Sequence, residues 1–145
     1  MGGEKERNVR KPTRKSLTRK LDILCSDIVR TRGKCAKCGC DDYKKLETAH
    51  IFSRKYRSVR WNLLNMVCLC KSCHFWAHAN PLLWGEFLRT YLSKYNLILL
   101  KKTAQPVKKW TMGEMQELWE KLTETPKRSK LCNGHQSQLS KDERG

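Results

Sequence analysis

Cys35-Ala36-Lys37-Cys38 and Cys70-Lys71-Ser72-Cys73 each hold two thiols separated by two residues, and 31 residues lie between the pairs. One turn aims both sulfurs of such a pair at a single point, so two pairs can share one ion. Four thiolates suit tetrahedral Zn²⁺ and leave no open position for chemistry, so the expected site is structural. Gly39 eases the backbone as it turns back after the first pair. A strongly charged chain of this size gains folding free energy on the order of 10 kcal/mol from such an ion. Redox thiols and an iron–sulfur cluster are the competing readings of the spacing. Cys40 and Cys68 lie near enough to be alternative ligands. Cys68 is expected to point away along its strand, Cys25 to sit on a buried helix face, and Cys132 to fall in an unstructured tail.

Thiols rather than disulfides are expected because the polar, basic start Met1-Gly2-Gly3-Glu4-Lys5 lacks the apolar run of a secretory signal. No stretch approaches the roughly 18 uninterrupted apolar residues of a membrane span. The chain is therefore expected inside the cell, with no membrane partner. Its 145 residues make room for one compact domain with tails, which excludes a large multi-domain enzyme. Lys and Arg total 31 against 14 Asp and Glu, a net charge of +17, while 39% of residues are hydrophobic. Such a balance points to a polyanionic partner.

The pattern along the chain predicts an α+β fold. A disordered basic arm is expected over 1–15. Leu17, Leu21, Leu24 and Ile28 recur at helical spacing, so a helix is expected over 16–32, broken at Gly33. Short strands are expected near 47–52 and 65–69, and a helix over 71–79. Asn80-Pro81 offers an N-cap followed by proline at the first helical position. Leu83, Phe87, Tyr91 and Tyr95, with Leu88 and Leu92 alongside, predict a helix running to about Lys94. Thr111-Met112-Gly113-Glu114 has the form of a capping box opening a helix over 112–124. The domain scheme is a core over 16–100, a helical extension over 101–125 and a disordered tail over 126–145.

Inside the cysteine-bounded segment and just beyond it stand Ala49-His50-Ile51, Asn65, and Cys73-His74-Phe75-Trp76-Ala77-His78. In this order, with Leu69-Cys70 and the second cysteine pair, they resemble the HNH (His-Me finger) endonuclease family in its zinc-stapled, treble-clef version. Ile51-Phe52-Ser53-Arg54, Arg60-Trp61-Asn62 with Asn65, and Cys73-His74 followed by Asn80-Pro81 are similar to phage NinG-type recombination nucleases. The resemblance covers roughly residues 20–100 and is specific across 35–81. It implies a ββα-metal core, a zinc-stabilised hairpin and helix flanked by further helices. It also implies a host compartment containing DNA, such as the cytoplasm of a bacterial or phage-infected cell.

The resemblance makes His50 the general base, with Asn65 helping to position it. An imidazole is partly neutral near pH 7 and can take a proton from an in-line water when its other nitrogen is held. His74 and His78, four apart on one predicted helix, bring both imidazoles to the same side, where they can bind one divalent ion. Mg²⁺ or Mn²⁺ is the expected catalytic ion, and Ni²⁺ or Zn²⁺ also suits imidazole ligands. His78 has an alternative reading as a packing residue. Arg54 is a candidate to clamp the target phosphate, with Lys55, Arg57 and Arg60 widening the positive surface. The sequence departs from the family pattern at Ala49, where Asp or His often supplies a ligand. Glu47 stands near, as a replacement carboxylate or a surface residue.

The expected function is metal-dependent hydrolysis of DNA phosphodiesters, leaving 5′-phosphate and 3′-hydroxyl ends, on double-stranded or branched recombination DNA. A lone site cuts one strand, so cutting both requires two events or a homodimer. A catalytically idle zinc module that binds nucleic acid is the second reading. An RNA-directed nuclease is the third.

Overall fold

The computed structural model describes residues 10–124, and the expectations for the arm over 1–9, for Cys132 and for the tail over 126–145 lie outside them. Five α-helices and one two-stranded antiparallel sheet make up the described α+β fold, in the order α1 (Arg14–Arg30), β1 (Leu46–His50), β2 (Met66–Cys70), α2 (Lys71–Ala79), α3 (Pro81–Tyr91), α4 (Lys94–Ala104) and α5 (Met112–Glu124). No helix among the described residues is long and apolar enough to cross a membrane.

Helix α1 starts two residues before the expected Ser16, because Thr13 caps it. The Thr13 hydroxyl accepts from the Ser16 amide at 3.1 Å and the Ser16 hydroxyl accepts from the Thr13 amide at 2.9 Å. Arg14 and Lys15, assigned in sequence to the arm, are therefore helical. The buried line is Leu17, Leu21, Cys25 and Val29, while Leu24 and Ile28 are half-buried. Both sets lie at helical spacing, and the packing partners choose between them. Beyond the helix, Gly33 adopts a φ of 76°, a left-handed conformation that suits glycine.

The sheet pairs Leu46 with Cys70, Ala49 with Val67 and His50 with Met66. Every residue of β2 is buried, because α1 and α2 both pack on the hairpin. Its continuous apolar run fits a strand covered on both faces. Helix α5 completes this core by lying along α1, with Met115 only 1% exposed. The Thr111–Glu114 capping box forms as expected, the Glu114 carboxylate accepting from the Thr111 amide at 2.7 Å and the Thr111 hydroxyl from the Glu114 amide at 3.2 Å.

The helix expected to reach about Lys94 stops three residues short of it, and a further helix that was not expected begins there. Helix α3 ends at Tyr91, and Ser93 starts α4 by accepting from the Asn96 amide at 3.1 Å. The expected stripe is accordingly half wrong: Leu88 and Leu92 are buried, whereas Leu83, Tyr91 and Tyr95 are exposed. Asn80 occupies the N-cap position of α3 without a side-chain cap. Its amide instead donates back to the Trp76 carbonyl at 3.0 Å, joining the end of α2 to the start of α3. Helix α4 runs unbroken across position 100 and forms a second small core, in which Leu100 and Ala104 meet Val59 and Leu92. That core lies beneath the loop that follows β1.

Candidate functional site

The four cysteines meet. Sγ atoms of Cys35, Cys38, Cys70 and Cys73 all lie within 4.8 Å of one another, and Cys38 and Cys70 are 3.6 Å apart. A tetrahedron with Zn–S bonds of about 2.3 Å has S···S edges of roughly 3.8 Å, so the cluster has the dimensions of a four-thiolate site that could hold such an ion. The backbone builds it from two elements. Residues 35–40 form a knuckle closed by Cys35 N–H to the Cys40 carbonyl (2.8 Å) and Gly39 N–H to the Cys35 carbonyl (2.9 Å), with Gly39 at φ 76°. Ala36 N–H then docks the knuckle on β2 through the Cys68 carbonyl at 2.8 Å. Cys70 is the N-cap of α2 and Cys73 lies in its first turn, where free amides and the helix dipole favour thiolates. Lys37 closes the other side by lying over the Trp76 ring, 4.1 Å from its centroid.

Burial disfavours the Cys35 thiolate, but the backbone groups of Cys38, Cys70 and Lys37 outweigh it and hold that thiol down to about 6. Cys73 is pushed up by burial and then by its neighbouring sulfurs. A cation among the sulfurs removes this mutual repulsion, which makes the donor set fit the ion. Cys68 and Cys40 lie outside the cluster of four, and Cys68 is 1% exposed in the main core. Cys25, on the buried face of α1, has its thiol pushed up to about 12 by burial and then by Asp22.

A second centre opens next to the first. His50, Arg54, His74 and His78 line one cavity of about 600 Å³, together with Asp22 from α1 and Trp84 from α3. Helix α2 carries the two centres in succession, thiols in its first turn and imidazoles behind them. His74 and His78 face each other, Nε2 to Nε2, at 3.2 Å. That separation falls between the edges of roughly 3.0 and 3.4 Å that two nitrogens adopt around one ion at bond lengths near 2.1 Å. Nδ1 of His74 is 2.8 Å from Oε2 of Glu47. Glu47 thus lies against the ring while its side chain stays 40% exposed. Ala49 is buried at 2% exposure and brings no donor.

Burial, and after it the Arg54 guanidinium, hold the His50 imidazole below its ordinary value, while Asp22 and a hydrogen bond to the Arg60 backbone work the other way. The balance favours a neutral ring able to accept a proton. Asn65 is fully buried and reaches the loop after His50: its Oδ1 accepts from Phe52 N–H at 2.7 Å, and its Nδ2 donates to the carbonyls of Phe52 at 3.0 Å and Val59 at 3.1 Å. Its side chain therefore holds the loop that follows His50 and makes no bond to the His50 ring itself. Arg54, Lys55 and Arg57 are exposed. Arg60 differs, since Asp22 holds it in a two-pronged pair at 2.7 and 3.0 Å.

Sequence reasoning missed Asp22 and Trp110, and gave Trp61 no partner. Asp22 also accepts from Trp61 Nε1 at 2.8 Å, and Trp110 Nε1 donates to the Arg57 carbonyl at 2.8 Å. The signal was faint: a buried tryptophan needs a partner for its N–H, but the sequence does not say which. Compared with family models, with curated proteins and with solved structures, the chain finds no match in any of the three.

Proposed function

We propose that the chain is a zinc-stapled, treble-clef HNH-type nuclease that hydrolyses phosphodiester bonds in DNA with the help of one divalent ion. The observation that carries the reading is the cavity shared by His50, His74 and His78. A phosphodiester resists attack because its charge repels nucleophiles, so water must be deprotonated and the transition-state charge offset. His50, depressed by burial and Arg54, takes the water's proton near neutral pH. The loop that follows His50, clasped by Asn65, supports it from behind. Arg54 supplies a fork of donors to a phosphate entering the cavity. His74 and His78 would hold the divalent ion, which when bound neutralises charge on the scissile phosphate and its leaving oxygen. The net charge of +17 draws a polyanionic backbone to the surface and makes binding fall steeply with salt.

One observation favours a second reading, a nucleic-acid-binding module with an idle centre: buried Ala49 adds no ligand to the two imidazoles. The zinc-loaded protein, incubated with plasmid, branched and single-stranded DNA and with matched RNA under Mg²⁺ or Mn²⁺, separates the two. Metal-dependent cutting that is lost in His50→Ala supports the nuclease. DNA binding without cutting on any substrate supports the idle module, and cutting confined to RNA redirects the substrate class.

A further inference from the structure

Glu47 has a definite place that neither of its sequence readings anticipated. It stands on β1 opposite Leu69, and its carboxylate, though 40% exposed, reaches across to α2. Among the described residues, His74 is the hydrogen-bonding partner of that carboxylate, at 2.8 Å. We propose that Glu47 is the positioning residue of a two-imidazole ion site, fixing His74 so that its Nε2 lone pair, beside Nε2 of His78, faces a borderline divalent cation such as Co²⁺ or Ni²⁺. This role rests on the nuclease reading of the cavity.

A carboxylate only accepts, so the hydrogen of a His74 ring bonded to Glu47 sits on Nδ1. The neutral ring then has its lone pair on Nε2, which accepts from Nε2 of His78 at 3.2 Å until an ion takes the place of the shared hydrogen. Carboxylate, imidazole and ion in line is a recurring arrangement that raises the basicity of the ligand and removes its rotational freedom. It also settles what Glu47 does not do. Nδ1 and Nε2 diverge across the ring, so a carboxylate bonded to the first is on the wrong side to share an ion with the second.

Alternatives on the same strand are closed. The Thr48 hydroxyl is paired with Ser26 at 3.1 Å, and Ala49 has no donor atom. Asp22, the one carboxylate among the described residues that line the cavity, has both oxygens engaged by Arg60 and Trp61, so the described residues offer the ion two nitrogens and leave the remaining positions to water and phosphate oxygens. Imidazoles favour the later first-row ions over Mg²⁺, which prefers oxygen. The expected order of affinity is Co²⁺ above Mn²⁺, with Mg²⁺ far weaker.

The test uses zinc-loaded full-length protein, with zinc content measured throughout. Long-range ¹⁵N–¹H correlation of the histidine rings reads the hydrogen position, and calorimetric titration with Co²⁺, Mn²⁺ and Mg²⁺ reads the second site. Wild type is expected to carry the His74 hydrogen on Nδ1. Glu47→Ala should move it to Nε2 and weaken Co²⁺ binding by about 10- to 100-fold, with zinc content and melting temperature unchanged. Glu47→Gln keeps an acceptor and should retain the Nδ1 hydrogen and lose less affinity. If Glu47→Ala keeps both the ring hydrogen and the Co²⁺ affinity of wild type, the positioning role is wrong while the nuclease reading stands. Wild type that takes up no ion beyond zinc overturns the nuclease reading and this role together.

Discussion

The two centres on α2 differ in how they are closed. The thiol cluster brings four like donors within 4.8 Å and leaves no position open. The imidazole centre has two facing nitrogens at the wall of a cavity of about 600 Å³. Both depend on the same helix, yet one is built from the chain's own local turns and the other from parts gathered at a distance. The knuckle over 35–40 and the start of α2 each present two sulfurs by local geometry alone. The cavity needs β1, the loop after it, α1 and α2 together. On the proposed nuclease reading the closed site serves stability and the open one chemistry, so damage to the first should destroy both, while damage to the second should leave the first intact.

The largest effect should come from the thiols. Cys38 is exposed, so Cys38→Ser removes a sulfur without emptying the core. It is expected to forfeit much of a folding contribution on the order of 10 kcal/mol and leave the chain unfolded, as a strong chelator would. Circular dichroism melting checks this, and an unchanged melting temperature would break the distinction between the centres.

Next comes His50→Ala, which should reduce cutting by about 10²- to 10⁴-fold with zinc content, melting and DNA binding preserved. The parent's rate should have an acid limb below the ordinary histidine value of about 6.5, because burial and Arg54 lower the pKa. Rate rises as the ring loses its proton and levels off above that pKa. A limb above 6.5 would assign the base to another group.

Asp22→Ala tests whether the open centre depends on distant support. It removes the partner of Arg60 and Trp61 and should cost about 1–3 kcal/mol by denaturant unfolding, with a further loss of rate as the loop loosens. Burial alone would raise the Asp22 carboxyl, but Arg60 and Trp61 overcome it and hold it below its usual range. Its stabilisation is therefore present above about 3.9, the unfolded value, and fades as pH falls through the lower folded one. Parent and variant should converge at acid pH. The smallest effect is Thr111→Ala, which removes one cap of α5 and should cost about 1 kcal/mol without touching either centre.

Much of the scaffold was legible because its signals are local. Helix α2 over 71–79, the α5 capping box and the left-handed turn at Gly39 each follow from a few adjacent residues. The ion-sized gathering of the cysteines was equally plain, since spacing alone brings each pair to one point. The break between α3 and α4 was not. Leu88 and Leu92 are buried among residues far away in sequence, and the exposed partners Tyr91 and Tyr95 share their periodicity. A stripe read from spacing cannot tell which side will find a partner.

The sequence by itself determined that four thiols converge, that a helix presents His74 and His78 on one side, and that the chain carries a large positive charge. These depend on spacing and composition, which the covalent chain specifies. Only the tertiary structure decided that Asn65 clasps the loop after His50, that Asp22 on α1 anchors Arg60, and that the Glu47 carboxylate meets the His74 ring. Those pairings join elements whose relative placement comes from burying the hairpin between α1 and α2. Hydrogen bonds between such elements are chosen by packing, and no local pattern encodes them.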